Sequence, residues 1–172
     1  MIKTLLALII LSSYLFSLEL IGKVVKVSDG DTVTILTSNK TQHKIRLNDI
    51  DAPEKKQAFG NKSKDNLAKY IAGRTVTVEY QKKDKYKRIL GTIYYNNRDI
   101  NLQQVKDGYA WVYKQYSNKQ NYIKAEREAR SSKKGLWRDN NPTEPWEYRK
   151  QKKEKNESFN WKSKWNKRGN FL

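Results

Sequence analysis

Beyond residue 17, apolar positions recur along the chain with two distinct periods. In residues 20–36, Ile21, Val25, Val27, Val33 and Ile35 alternate with polar residues around Ser28-Asp29-Gly30-Asp31, a pattern that predicts a β-hairpin. Ser38-Asn39-Lys40 makes a second turn, and residues 43–47 return as a strand ending in a loop at Asn48-Asp49. Pro53 has no backbone donor and disfavours helical backbone at Ala52, so the chain leaves this strand as a loop. From residue 57 to 72 the period lengthens, with Phe59, Leu67, Tyr70 and Ile71 on one side of a helix closed by Gly73. Residues 74–80 alternate again, 84–88 form a charged loop, and 89–95 form a strand turning at Asn96-Asn97. Two more helices are predicted, one over 99–109 with Leu102 and Val105 inward, the other over 122–134 and stopped by Gly135.

Three strands, a helix, two strands and then helices predict a mainly β, α+β fold. The expected architecture is a five-stranded Greek-key barrel of the OB type with three helices, occupying residues 18–137. Residues 138–172 change character. Trp146, Trp161, Trp165 and Phe171 lie among lysines there. Such interleaving suits a grip on single-stranded nucleic acid, and it equally suits a disordered solvated tail.

The N-terminus adds a location. A short basic start, a nearly continuous apolar run over residues 4–16 and the small residues Ser12, Ser13 and Ser17 have the layout of a signal peptide over residues 1–17. The apolar run falls short of the about 20 residues a membrane-spanning helix needs. The expectation is a secreted or periplasmic protein, membrane-associated only if this leader stays uncleaved. Cysteine is absent from the sequence, which excludes disulfides, zinc–thiolate sites and cysteine nucleophiles.

Charge changes the picture most. The 172 residues carry 36 Lys and Arg against 18 Asp and Glu, a formal net charge of +18 that calls for a polyanionic partner. Against this background stand two acidic clusters, Asp29-Gly30-Asp31 and Asp49-Ile50-Asp51-Ala52-Pro53-Glu54. Carboxylates weaken a grip on phosphate unless they hold a cation or move a proton. Asp31 and Asp51 could converge on one hard cation, with the Ala52 carbonyl and waters completing an oxygen shell of the kind calcium accepts. Asp29 would then sit behind them. The alternative for Asp29 and Asp31 is a plain Asp-Gly turn. Glu54 stands where a carboxylate could deprotonate an attacking water, and Arg46 and Arg88 could donate to phosphoryl oxygens; ordinary surface ion pairs are the alternative for the arginines.

Three strings carry a resemblance: Val27-Ser28-Asp29-Gly30-Asp31-Thr32-Val33, Ile45-Arg46-Leu47-Asn48-Asp49-Ile50-Asp51-Ala52-Pro53-Glu54, and Asp84-Lys85-Tyr86-Lys87-Arg88. In order and spacing they resemble the signature segments of the staphylococcal nuclease (thermonuclease-like) family, and the likeness runs over residues 21–137. Pro145-Trp146-Glu147 is similar to an extension that follows the domain in bacterial members. The resemblance implies a calcium-dependent hydrolase of DNA and RNA with little sequence preference, which cuts between phosphorus and the 5′ oxygen and leaves 3′-phosphate ends. It implies that Asp31, Asp51 and the Ala52 carbonyl are calcium ligands, that Arg46 and Arg88 are catalytic, that Glu54 is the general base, and that Lys85 and Tyr86 lie near the bound nucleotide. A monomer with nucleic acid as its partner, and no stable protein partner, is expected. A nucleic-acid-binding barrel without activity is the competing class, as is a cationic protein of anionic surfaces. Intact Asp31, Arg46, Asp51, Glu54 and Arg88 favour an enzyme.

Two positions depart from the family. Ala52 replaces the threonine of the founding member, a change that a backbone contact tolerates. Lys87 stands where the loop ordinarily carries glycine, and if that position needs positive φ the lysine is strained.

Overall fold

The computed structural model describes residues 18–168, with side chains described as far as residue 159 and at Trp161. The expected leader over residues 1–17 lies outside the described residues, as do Phe171 and the side chain of Trp165. Among the described residues no helix is long and apolar enough to cross a membrane.

The barrel is built from β1 (Leu18–Val27), β2 (Thr32–Leu36), β3 (Gln42–Leu47), β5 (Thr75–Lys83) and β6 (Ile89–Tyr95). Two antiparallel hairpins join β1 to β2 and β2 to β3, with Val27 opposite Val33 and Thr32 opposite Arg46. β5 pairs with the other edge of β1, and β6 with β5. A parallel pairing of β3 with β6, Ile45 level with Ile89, closes the ring. This is the five-stranded closed barrel expected of the OB type. Irregularities at Val24/Lys26 in β1 and Tyr80/Lys82 in β5 supply the bends that closure needs.

The irregularity in β1 corrects the simple alternation expected there. Val24 is buried and Val27 packs against the core, whereas Ile21 and Val25 face solvent. An extra residue shifts the inside–outside phase, so the inward set is not every second apolar residue. The interior is otherwise aliphatic, with Val33, Ile35, Ile45, Leu47, Val78 and Ile93 fully buried.

Short strand pairing appears where only a loop was expected. β4 (Ile50–Asp51) pairs antiparallel with β8 (Trp111–Val112), which immobilises the second acidic cluster at its centre. A further two-residue strand, β7 (Arg98–Asp99), turns back on β6 through Asn96 and Asn97, both at positive φ.

Three helices cover the barrel: α1 (Gly60–Ile71), α2 (Ile100–Lys106) and α3 (Gln120–Ser131). α1 begins later than its apolar period suggested. Phe59 is its N-cap residue, in a left-handed conformation, and its ring joins a second cluster with Trp111, Ala129, Leu136 and Trp137 rather than the helix face. In α2 the inward positions are Ile100, Asn101, Gln104 and Val105, while Leu102 is only half-buried. Two fully buried amides thus face the core where aliphatic residues would be the default.

Those amides hold the site's loops. The Asn101 side chain donates to the carbonyl and side-chain oxygens of Asn48 and to the Gly91 carbonyl, and accepts from the Ile93 N–H. Gln104 donates to the Gly30 and Ser63 carbonyls and accepts from Asn66. Asn101→Ala should lower stability by about 2–4 kcal/mol, because the amide's partners stay buried without a substitute. A urea titration by far-UV circular dichroism measures this, and an unchanged midpoint would contradict the role.

The chain continues beyond the three covering helices. After a 3-10 turn (Gly135–Arg138) it forms a fourth helix, α4 (Pro145–Arg168). The start of α4 is fixed to the domain. Trp146 stacks on Tyr113, with ring centres 5.5 Å apart and planes 2° from parallel, and the Gln57 amide donates to the Thr143 carbonyl at 2.6 Å. Farther along, Phe159 and Trp161 are exposed.

Candidate active site

The two acidic turns meet because Gly30 has no side chain. A Cβ there would stand 1.9 Å from the Ser63 hydroxyl and 2.7 Å from the Ala52 methyl. The close approach lets Ala52 N–H donate to Asp31 Oδ2 at 2.7 Å, joining one turn to the other. Gly60 has the same role beneath Glu54: a Cβ would lie 2.1 Å from the Glu54 carbonyl oxygen.

Asp31 and Asp51 are both buried, at 6 % and 1 % exposure. They share one guanidinium. Arg46 places Nε 3.2 Å from Asp31 Oδ1 and Nη2 2.8 Å from Asp51 Oδ1. Its Nη1 donates to the carbonyls of Leu47 and Ile50. Arg46 therefore clamps the carboxylates and the intervening backbone together.

Asp29 stands behind this pair, accepting from the Asp31 N–H at 3.1 Å as an Asp turn does. Burial and the neighbouring Asp31 charge push its carboxyl up to about 6. Burial also raises the Asp51 carboxyl, as does repulsion from Asp31, while the hydrogen bond from Arg149 and the charges of Arg46 and Arg149 oppose the rise. Such a pocket favours positive charge. Asp49, by contrast, turns away and pairs with Lys119 at 2.7 Å.

Glu54 joins the site through a residue the sequence did not single out. Arg149 of α4 places Nη2 2.7 Å from Asp51 Oδ2 and Nη1 2.9 Å from Glu54 Oε1. Its Nη1 also lies 3.3 Å from Asp51 Oδ1. Burial lowers the basicity of Arg149, but the two carboxylates outweigh it and hold the guanidinium firmly charged. The available signal was its position three residues after Trp146, which places it over the face that Trp146 anchors.

Arg88, Lys85 and Tyr86 form a separate cluster. Asp84 accepts from the backbone N–H groups of Tyr86 and Arg88, and from Arg88 Nε at 2.7 Å. Both cations lie against the exposed Tyr86 ring, Lys85 Nζ at 5.2 Å and the Arg88 guanidinium at 5.6 Å from its centre. The parallel pairing places Arg46 level with Leu90, two residues after Arg88, so the clusters rise from adjoining strands.

Lys87 does take the left-handed conformation, at φ 61°. The turn survives because the Asp84 carboxylate and carbonyl gather its donors. Lys87→Gly should raise stability by about 0.5–1 kcal/mol, the relief of a Cβ at positive φ less the entropy cost of glycine. Thermal unfolding tests this, and a lower Tm would show that the lysine makes compensating contacts.

The donor set fits a hard cation. Asp31 and Asp51 offer carboxylate oxygens in a buried setting that guanidinium groups already exploit, while Ala52 meets Asp31 through its N–H. No group of three or more His, Cys, Asp or Glu placed to hold a metal occurs among the described residues. Two carboxylates with a carbonyl and waters is a sparer set than that.

A closed OB-type barrel with acidic loops around Arg46 of β3, and Arg88 in the loop that enters β6, defines a nuclease-type domain. Comparison with known proteins agrees: the staphylococcal nuclease homologue family matches residues 44–139, and the chain belongs to that family. It is 49% identical over 131 residues to an uncharacterized endonuclease of Haemophilus influenzae, covering 76% of this chain and 74% of that one. An uncharacterized endonuclease of Escherichia coli is 43% identical over 148 residues, 86% of this chain and 96% of the relative. A micrococcal nuclease of Shigella flexneri is 38% identical over 144 residues, covering 77% and 82% of the two chains.

Proposed function

We propose that this nuclease is a secreted or periplasmic, calcium-dependent phosphodiesterase. It cuts DNA and RNA within the chain and leaves 3′-phosphate ends. The observation that supports this best is the convergence of two buried carboxylates from separate loops on one guanidinium, with Glu54 beside them. Paired buried carboxylates are costly to maintain without a function that uses their charge.

Asp31, Asp51 and the Ala52 carbonyl would hold the calcium ion. When bound, it would supply positive charge to the phosphate and polarise a phosphoryl oxygen. Glu54 accepts a proton from water as the water oxygen bonds to phosphorus. The bond from phosphorus to the 5′ oxygen then breaks, and that oxygen leaves as a hydroxyl after taking up a proton. Arg46 and Arg88 donate N–H groups to the phosphoryl oxygens as negative charge builds on them. Lys85 and Tyr86 bind the flanking nucleotide, the ring offering a stacking face. The contacts proposed here are with phosphate and with base faces, so sequence preference should be slight.

The test is incubation of the purified chain with single- and double-stranded DNA and with RNA, in calcium and in excess chelator. Calcium-dependent fragments whose 3′ ends carry phosphate, freed as inorganic phosphate by a 3′-phosphatase, are expected. Binding without cleavage in either condition would replace this reading with that of a binding module.

A further inference from the structure

We propose that Arg149 is a third arginine of the site, resting on Asp51 and Glu54 and transferring to a substrate phosphate oxygen once a cation takes Asp51. The inference rests on the preceding assignment of Asp51 to the cation and Glu54 to the water.

Its delivery is built into the fold. The stack of Trp146 on Tyr113 and the hydrogen bond from Gln57 to the Thr143 carbonyl fix the start of α4. Arg149 follows within one helical turn and reaches back over the second acidic loop. Its fork takes both oxygens of Asp51 and one of Glu54.

Three consequences follow from that geometry. First, Asp51 already accepts from Arg46 and from both terminal nitrogens of Arg149, so a cation arriving there is repelled by Arg149 and the two positive groups compete. Second, Glu54 Oε1 accepts from Arg149 Nη1 at 2.9 Å, so release of the pair frees that oxygen to face a water. Third, Arg46 reaches a phosphate only by sharing donors that the fold already uses, so a further fork adds to what Arg46 and Arg88 offer. The Nε and terminal nitrogens of Arg46 already contact Asp31, Asp51 and the carbonyls of Leu47 and Ile50. A released Arg149 is side-chain-mobile, stays permanently charged, and presents a planar fork suited to phosphate.

Calcium binding to the full-length chain by titration calorimetry, without nucleic acid, is the first measurement. Arg149→Gln should bind calcium about five- to tenfold more tightly than the parent, since the internal competitor is gone. The second is the dependence of log kcat/KM on log salt with a single-stranded oligonucleotide. That slope should become shallower by about one for Arg149→Gln and be restored by Arg149→Lys, which keeps the charge. Both variants should unfold with Tm close to the parent's. Unchanged or weaker calcium binding by Arg149→Gln would overturn the competition. An unchanged salt slope would overturn the phosphate contact. A parent chain that neither binds calcium nor cleaves would overturn the assignment of Asp51 and Glu54 and this inference with it, which separates the two failures.

Discussion

Arg46→Ala should abolish most cleavage and weaken the fold at the same time. The activity loss follows from the role proposed for Arg46 as a donor to phosphoryl oxygens, an effect of about 100- to 1,000-fold for one such group. The stability loss follows from what remains. Asp31 and Asp51 are buried and share the Arg46 guanidinium, so truncation leaves the buried Asp31 without its guanidinium and Asp51 with Arg149 alone, in a pocket whose burial already disfavours the Asp51 charge. Breaking a buried pair in this way costs about 3–5 kcal/mol. The cost should be smaller in calcium than in chelator, because a bound cation supplies the missing charge. Thermal unfolding in both conditions, alongside cleavage rates, separates the two effects. A variant as stable as the parent in chelator would show that Arg46 is not the clamp its contacts describe.

Glu54→Gln should behave in the opposite way, losing activity without losing stability. Its side chain is 41% exposed, and its partner Arg149 retains Asp51. The ion pair between Glu54 and Arg149 should therefore contribute no more than about 1 kcal/mol. Removal of a positioned general base lowers kcat by about 100- to 10,000-fold. The expected signature is a large fall in kcat with KM little changed and an unfolding midpoint near that of the parent. A kcat within threefold of the parent would take the proton from some other group.

The barrel was legible because its signals are local and redundant. Each strand carries its own period, and each turn its own Asp, Asn or Gly, so five independent readings agree on one topology. Phe59 shows where this fails. It fits the α1 period yet caps the helix from outside, because Trp111 and Trp137, remote in sequence, offer it a better surface. Likewise Ile21 and Val25 read as inward until an irregularity shifts the phase, a feature that leaves no composition signal.

In the site, Asp31, Asp51 and Glu54 were readable because their charge contradicts that of the chain, and Arg46 because it stands just before the second acidic cluster; the structure places the four together. Arg149 was not, since one more basic residue in a lysine-rich segment stands out from nothing around it. Only the stacking of Trp146 on Tyr113, a contact between distant parts of the chain, distinguishes it. Asn101 and Gln104 were hidden for a related reason. A polar residue at an inward helical position is ambiguous until the groups it faces are known.

The two buried amides of α2 have a mechanical consequence. Asn101 grips the loop that leads into Asp51, and Gln104, one turn further on, grips the loop that carries Asp31. The separation of the two carboxylates is therefore gauged against a single helix, like the jaws of a caliper, in addition to the close approach that Gly30 permits. A shift of α2 carries both jaws in step and leaves the gap between them unchanged.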